Sequence, residues 1–125
     1  MTKVVVVDDD PANVSLTEML LQLDGFDVTA CTNLTQAIKA STVDVQAYVV
    51  DINLARGENG LDLLRQVRQG KTAASPNTAF IITSGDYRRR DESLRVGASH
   101  FLLKPYPPDQ LAGLINDLIK RSLNG

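Results

Sequence analysis

Three carboxylates stand where two apolar runs end: Asp8 and Asp9 follow Lys3–Val7, and Asp51 follows Ala47–Val50. A hydroxyl, Thr83, follows a third run, Ala79–Ile82, and Lys104-Pro105 follows a fourth, Phe101–Leu103. In an open parallel sheet the carboxyl ends of the strands share one edge, and ligands bind in the crevice there, so these side chains are expected to meet. Three acids in one crevice repel each other unless a proton or a cation intervenes. A hard divalent cation, Mg2+ or Mn2+, takes carboxylate and carbonyl oxygens, keeps several waters and relieves that repulsion without neutralising every acid. With the Lys104 ammonium and the Thr83 hydroxyl opposite, the crevice suits a phosphoryl group: metal and ammonium neutralise its oxygens while the hydroxyl donates a hydrogen bond. A carboxylate can itself accept that group as an aspartyl-phosphate. Asp51 is the expected nucleophile, because it stands alone after its run whereas Asp8 and Asp9 are paired for metal.

Holding these groups together requires strands that alternate with helices, and the pattern does so five times. Val4–Val7 is a short, continuous, β-branched run, as expected for a strand covered on both faces. Asp10 is an N-cap with Pro11 at the first helical position, which predicts a helix over Pro11–Asp24 with Gly25 just past its end. Phe26–Cys31 alternates apolar and polar residues and reads as an edge strand, followed by a short helix opening at Asn33. Ala47–Val50 is the next buried strand, and Leu61–Gln69 is helical, with Leu61, Leu64 and Val67 on one face. Ala79–Ile82 and Phe101–Leu103 complete five strands. The last helix, Pro108–Leu123, carries the stripe Leu111, Leu114, Ile115, Leu118 and Ile119. Short strands joined by single helices imply right-handed crossovers and an α/β, doubly wound parallel sheet. One element is weak: Asp86–Val96 should be the fourth helix, yet only Tyr87, Leu94 and Val96 are apolar. Little packing would hold it, which makes it the segment expected to move.

A chain of 125 residues makes one domain, 1–125, with a real core and no room for a second folded module. Thirteen basic and fifteen acidic residues leave a net charge of −2, which offers phosphate backbones no general attraction, so direct nucleic-acid binding is not expected. The single cysteine, Cys31, excludes an intrachain disulfide, suits a reducing compartment and is expected to be a small buried apolar residue. No unbroken apolar run exceeds four residues, so neither membrane insertion nor a secretory leader is expected and the location should be cytoplasmic. The sole histidine, His100, precedes the last strand, away from the acidic crevice, and Arg88-Arg89-Arg90 is flanked by Asp86, Asp91 and Glu92 as a solvated face would be.

The ordered set Asp8-Asp9, Asp51, Thr83 and Lys104-Pro105, spread over nearly the whole chain, resembles the receiver domain of bacterial two-component response regulators. That resemblance implies a flavodoxin-like, five-stranded sheet of order 2-1-3-4-5 with helices on both faces. It implies that Asp51 is the phosphoacceptor, Asp8 and Asp9 the metal-binding pair, and Thr83 and Lys104 the contacts to the phosphoryl oxygens. Asn53 matches the position whose backbone carbonyl completes the metal site, and Phe101 the aromatic switch that turns inward when the threonine is drawn to the phosphate. The expected function is a signalling switch of a two-component phosphorelay. A histidine kinase or histidine phosphotransfer protein phosphorylates Asp51 with Mg2+, and the face formed by helix 4, strand 5 and helix 5 then controls binding of a separate downstream protein. A phosphorylation-dependent homodimer through that face stays open. The chain is not expected to be an enzyme beyond catalysing its own phosphorylation and dephosphorylation. Two features depart from the family pattern: the loop Ile52–Gly60 lacks the usual proline and looks one residue longer, and Tyr106 replaces the commoner Phe after Lys-Pro. Lys104-Pro105 is a candidate cis peptide.

Taken singly, these residues have ordinary readings. Acids cap helices, which is accepted for Asp10; Asp51 or Thr83 could start a turn; Lys104 could be solvated. Only the ordered set carries the chemistry. An aspartyl-phosphate phosphatase would need an acid/base where Asn53 stands and a substrate-enclosing cap, and a flavin carrier would be repelled by Asp8-Asp9-Asp10. A degenerate receiver-like interaction domain, or a receiver excised from a larger hybrid kinase or transcription regulator, are the alternatives that remain.

Overall fold

Each β-branched run becomes a strand and each amphipathic stretch the helix that returns the chain to the same edge. A computed structural model describes residues 1–124, with side chains described through Arg121; Gly125, the last residue of the expected domain, lies outside the described residues. In chain order the elements are β1 (Lys3–Val7), α1 (Pro11–Leu23), β2 (Asp27–Cys31), α2 (Leu34–Ala40), β3 (Val45–Asp51), α3 (Gly60–Arg68), β4 (Ala79–Ser84), α4 (Arg90–Val96), β5 (His100–Leu103) and α5 (Gln110–Asn124). The strands form one parallel sheet of order β2-β1-β3-β4-β5, as the resemblance implied. Among the described residues no helix is long and apolar enough to cross a membrane.

Two cores flank the sheet. Val5, Val7, Tyr48, Val50, Phe80 and Ile82 pack with Leu61, Leu64 and Val67 of α3 on one side. Val4, Val6, Ala47, Val49, Ala79 and Ile81 pack with Val14 and Leu21 of α1 and Leu111, Ile115 and Leu118 of α5 on the other. Strands whose two faces are both covered must be apolar at successive positions, which is why the runs are continuous rather than alternating.

Local signals set most boundaries. Asp10 caps α1 through hydrogen bonds accepted from the Ala12 and Asn13 amides, with Pro11 at its start; Asn33 caps α2 and Asn59 caps α3 in the same way. Three expectations are revised. Strands β3 and β4 run further than their apolar runs, so Asp51 and Thr83 lie within the strands rather than after them. The sheet ladder continues through Asp51 paired with Thr83 because backbone pairing does not depend on the side chain being apolar. The Asp86–Val96 segment is not one helix: a 3₁₀ turn at Tyr87–Arg89 precedes α4. His100 is the first residue of β5 rather than preceding it.

Candidate functional site

Side chains alternate faces along a strand. Val4 and Val6, Ala47 and Val49, Ala79 and Ile81, and Leu102 all serve the core beneath α1 and α5. The same alternation carried forward puts Asp8, Asp51, Thr83 and Lys104 on that side of the sheet, at its carboxyl edge. Register aligns them laterally: Val7 lies beside Val50, Asp51 beside Thr83, and Ser84 beside Leu103. The amide of Lys104 donates to the Ser84 carbonyl at 2.9 Å, which holds the lysine against the end of β4. The Lys104-Pro105 peptide is cis, as expected.

The Lys104 ammonium donates to Asp51 Oδ2 at 3.1 Å and to Asp8 Oδ2 at 3.2 Å. Asp8, Asp9 and Asp51 each offer a carboxylate oxygen, and these oxygens lie within 4.8 Å of one another. The side chains of Asp8 and Asp51 are each only 13% exposed, so water screens them poorly. Burial pushes the Asp51 carboxyl above its ordinary pKa; Lys104 opposes this, and the charges of Asp8 and Asp9 add to it. Burial works against the Lys104 charge too, but Asp51 and Asp8 outweigh it and hold the ammonium above its ordinary value. Three carboxylates face one ammonium, a hard-oxygen donor set with negative charge in excess. These residues fit a divalent cation.

The remaining site residues divide. Thr83 is buried and lies beside Asp51 in register. Asn53 is exposed, two residues beyond Asp51, where it bridges to Asn59. Phe101 sits on β5 opposite Ile82, half-buried, with the Tyr87 ring edge-on at 6.5 Å. Asp10, as expected, serves as a cap. His100 pairs with Ile81, toward the far edge of the sheet, and Cys31 is buried with its thiol pushed up to about 11. Arg88, Arg89 and Arg90 are each paired with Asp86, Glu92 and Asp91 in turn.

One residue of the site escapes sequence reasoning. A Cβ on Gly60 would sit 2.2 Å from the Asp51 carbonyl oxygen and 2.8 Å from the Val50 side chain. Only glycine lets the start of α3 pass this close to the backbone of Asp51. The Gly60 amide then donates to the Ile52 carbonyl at 2.8 Å, closing the loop after Asp51. The available signal was the pair Asn59-Gly60 before an apolar helix, and it points to a cap rather than to close packing.

Comparison with known proteins places this geometry in context. Residues 4–116 match the response regulator receiver domain family. The chain is 30% identical over 122 residues to the transcriptional regulatory protein CpxR of Klebsiella pneumoniae, covering 98% of this chain and 51% of CpxR. It thus spans about half the length of the curated relatives it matches. The Francisella response regulator 1452 receiver domain is similar in structure with a TM-score of 0.85 at 27% identity, covering 98% of this chain and 99% of that one. The fold also matches that of the response regulator TrrA from Thermotoga maritima, solved in complex with Mg2+-BeF, with a TM-score of 0.80 at 24% identity over 94% of this chain and 99% of that one.

Proposed function

Because the chain belongs to the response regulator receiver domain family, we propose that it is a phosphoacceptor switch in which Asp51 takes a phosphoryl group from a histidine kinase or a histidine phosphotransfer protein. The observation that carries this reading is the Lys104 ammonium shared between Asp8 and Asp51 within an otherwise uncompensated acidic cluster. Asp8, Asp9, Asp51 and the backbone of Asn53 would hold Mg2+ or Mn2+, which when bound supplies charge neutralisation for the phosphoryl oxygens and lowers the repulsion among the acids.

An Asp51 carboxylate oxygen attacks phosphorus as the bond from phosphorus to the donor's leaving atom breaks, and the electron pair departs with that atom, an imidazole nitrogen in a phosphohistidine donor. Lys104 releases its contact with Asp51 and pairs with a phosphoryl oxygen, while the Thr83 hydroxyl donates to another. The displacement of Thr83 is relayed to the half-buried Phe101, the family's aromatic switch position, and Phe101 carries its contact partner Tyr87 with it. The output face is α4, β5 and α5, where the 3₁₀ turn and α4 bury only Ser93. The chain acts on its own phosphoryl group and turns over no separate substrate, works in the cytoplasm, and reports to a downstream protein.

A groove of about 510 Å3 between α1 and the segment after β5 opens at Asp8 and Lys104 and is walled by Leu16, Leu20, Tyr106 and Pro108. Asp8 and Lys104 at its mouth are tied to Asp51 through the shared ammonium, so a docked phosphodonor would reach the crevice from this side. The reading is tested by intact mass after incubation with a small-molecule phosphodonor. A gain of one phosphoryl group that requires Mg2+ and is lost in Asp9→Ala is expected; a gain independent of both metal and Asp9 would sink the acidic-pair assignment.

A further inference from the structure

Opposite the acidic crevice, at the amino edge of the sheet, a half-buried arginine gathers four oxygen acceptors from two separate segments, the loop before β4 and the turn after α4. Arg68 ends α3. Its Nε donates to the Gly97 carbonyl at 2.9 Å, one terminal nitrogen donates to the Pro76 and Thr78 carbonyls at 2.8 and 2.7 Å, and the other reaches the Ser99 hydroxyl at 3.4 Å. Its guanidinium lies 6.0 Å from the centre of the Phe80 ring, which is itself stacked on Tyr48 at 4.8 Å. Tyr48 in turn donates to Ser41, and Ser41 to the Ala37 carbonyl. A continuous buried chain therefore runs from α2 through β3, β4 and α3 to the turn after α4.

That turn is built around the arginine. Gly97 has φ +122°, and a Cβ there would lie 3.2 Å from the Arg68 side chain, so residue 97 is glycine for two independent reasons. Ser99 is fastened to β4 as well, its amide to the Phe80 carbonyl at 2.8 Å and its hydroxyl accepting from the Phe80 amide at 3.0 Å. The other end of the segment is held by less: the Asp86 amide donates to the Ser84 hydroxyl at 3.1 Å, and the Tyr87 ring lies edge-on to Phe101. The 3₁₀ turn Tyr87–Arg89 buries nothing, Tyr87 is 63% exposed, and Arg88 and Arg90 are held only by exposed ion pairs, which contribute little.

We propose that Arg68 is a positioning residue for the switch: it pins the carboxyl end of α4, so that phosphorylation at Asp51 swings the amino end about Gly97 instead of displacing the whole helix. This rests on the proposed function above and says how α4 moves. The arginine suits the task because its rigid planar fork spreads five donors toward acceptors on separate sides, whereas a lysine ammonium gathers its three donors at a single atom.

The test is hydrogen exchange followed by mass spectrometry on the full chain, with and without a small phosphodonor and Mg2+, in the wild-type protein and in Arg68→Lys; Arg68→Gln serves if the lysine variant fails to fold. In the wild type the phosphorylation-dependent change is expected in peptides covering residues 86–92 and absent from 96–100. In the variant the change is expected to spread through 96–100. A variant that exchanges faster in both states alike, with an unaltered phosphorylation difference, would make Arg68 merely structural and overturn the proposal, as would a wild-type change as large at 96–100 as at 86–92. Intact mass on the same samples separates the two levels. Phosphoryl gain with no exchange change in 86–100 overturns the pivot and leaves the phosphoacceptor reading standing, whereas absence of any gain removes both.

Discussion

Lys104 is the residue on which the crevice depends, since its ammonium is within 3.2 Å of two carboxylates that are almost out of water. One positive charge cannot compensate three negative ones, and Asp51 is left with its pKa raised, first by burial. The sign of the consequence follows from linkage. A carboxyl whose folded pKa lies above its unfolded value of about 3.9 costs no stability below that value and becomes a burden as pH rises through the folded pKa. Asp51→Asn, which cannot ionise, is therefore expected to be more stable than the wild type to urea at pH 7, with the advantage shrinking toward pH 3.5; a variant less stable at pH 7 would contradict the electrostatic reading. Gly60→Ala acts on the same residue through its backbone. Because a Cβ would meet the Asp51 carbonyl at 2.2 Å, the substitution should lower the free energy of unfolding by about 2 kcal/mol or more, in the range of overpacking; a loss under about 0.5 kcal/mol would show that the loop yields freely. Asp8, Asp9, Asp51, Thr83 and Lys104 were legible because each is a polar residue standing where an apolar run stops, close to the carboxyl edge of the sheet. Gly60 was not, since close approach of two backbones separated by nine residues leaves no periodic trace.

At the level of elements, what could be read depended on how completely each was packed. Strands β1, β3 and β4 announce themselves as β-branched runs because both faces are buried. Their ends did not, because Asp51 and Thr83 continue the ladder with polar side chains that the alternation aims into the crevice. The segment after β4 is weakly apolar, and its division into a 3₁₀ turn and a short helix turns on hydrogen bonds such as the one the Arg88 amide donates to the Asp86 carboxylate, which composition does not reveal. The contrast with the α2–β3 junction is instructive. There the Tyr48 hydroxyl donates to Ser41 at 2.7 Å, and the Ser41 hydroxyl donates to the Ala37 carbonyl at 2.8 Å. Tyr48→Phe removes one bond while Ser41 keeps its acceptor, so the expected cost is about 1 kcal/mol by urea unfolding; a cost above about 3 kcal/mol would mean that the hydroxyl organises more than α2. Rigid on this side and loose at Tyr87–Arg90, the fold gives phosphorylation a place to act without disturbing its frame.

For the molecule as a whole, the doubly wound sheet separates two duties. Its carboxyl edge concentrates charge, with three acids and one lysine drawn from three strand ends that are distant in sequence, while its amino edge ties helices to strands through neutral and arginine-centred bonds. The strand order was implied by the resemblance rather than by periodicity, since alternation of strands and helices limits the topology but does not choose among orders. The central claim is chemical and specific to one side chain: among the three acids of the crevice, Asp51 takes the phosphoryl group. Treatment with a small phosphodonor and Mg2+, followed by borohydride reduction of the acyl-phosphate and peptide mass spectrometry, reports which residue carried it. Conversion of residue 51 alone to homoserine is the predicted result, and conversion at residue 8 or 9, or at none of the three, would contradict it.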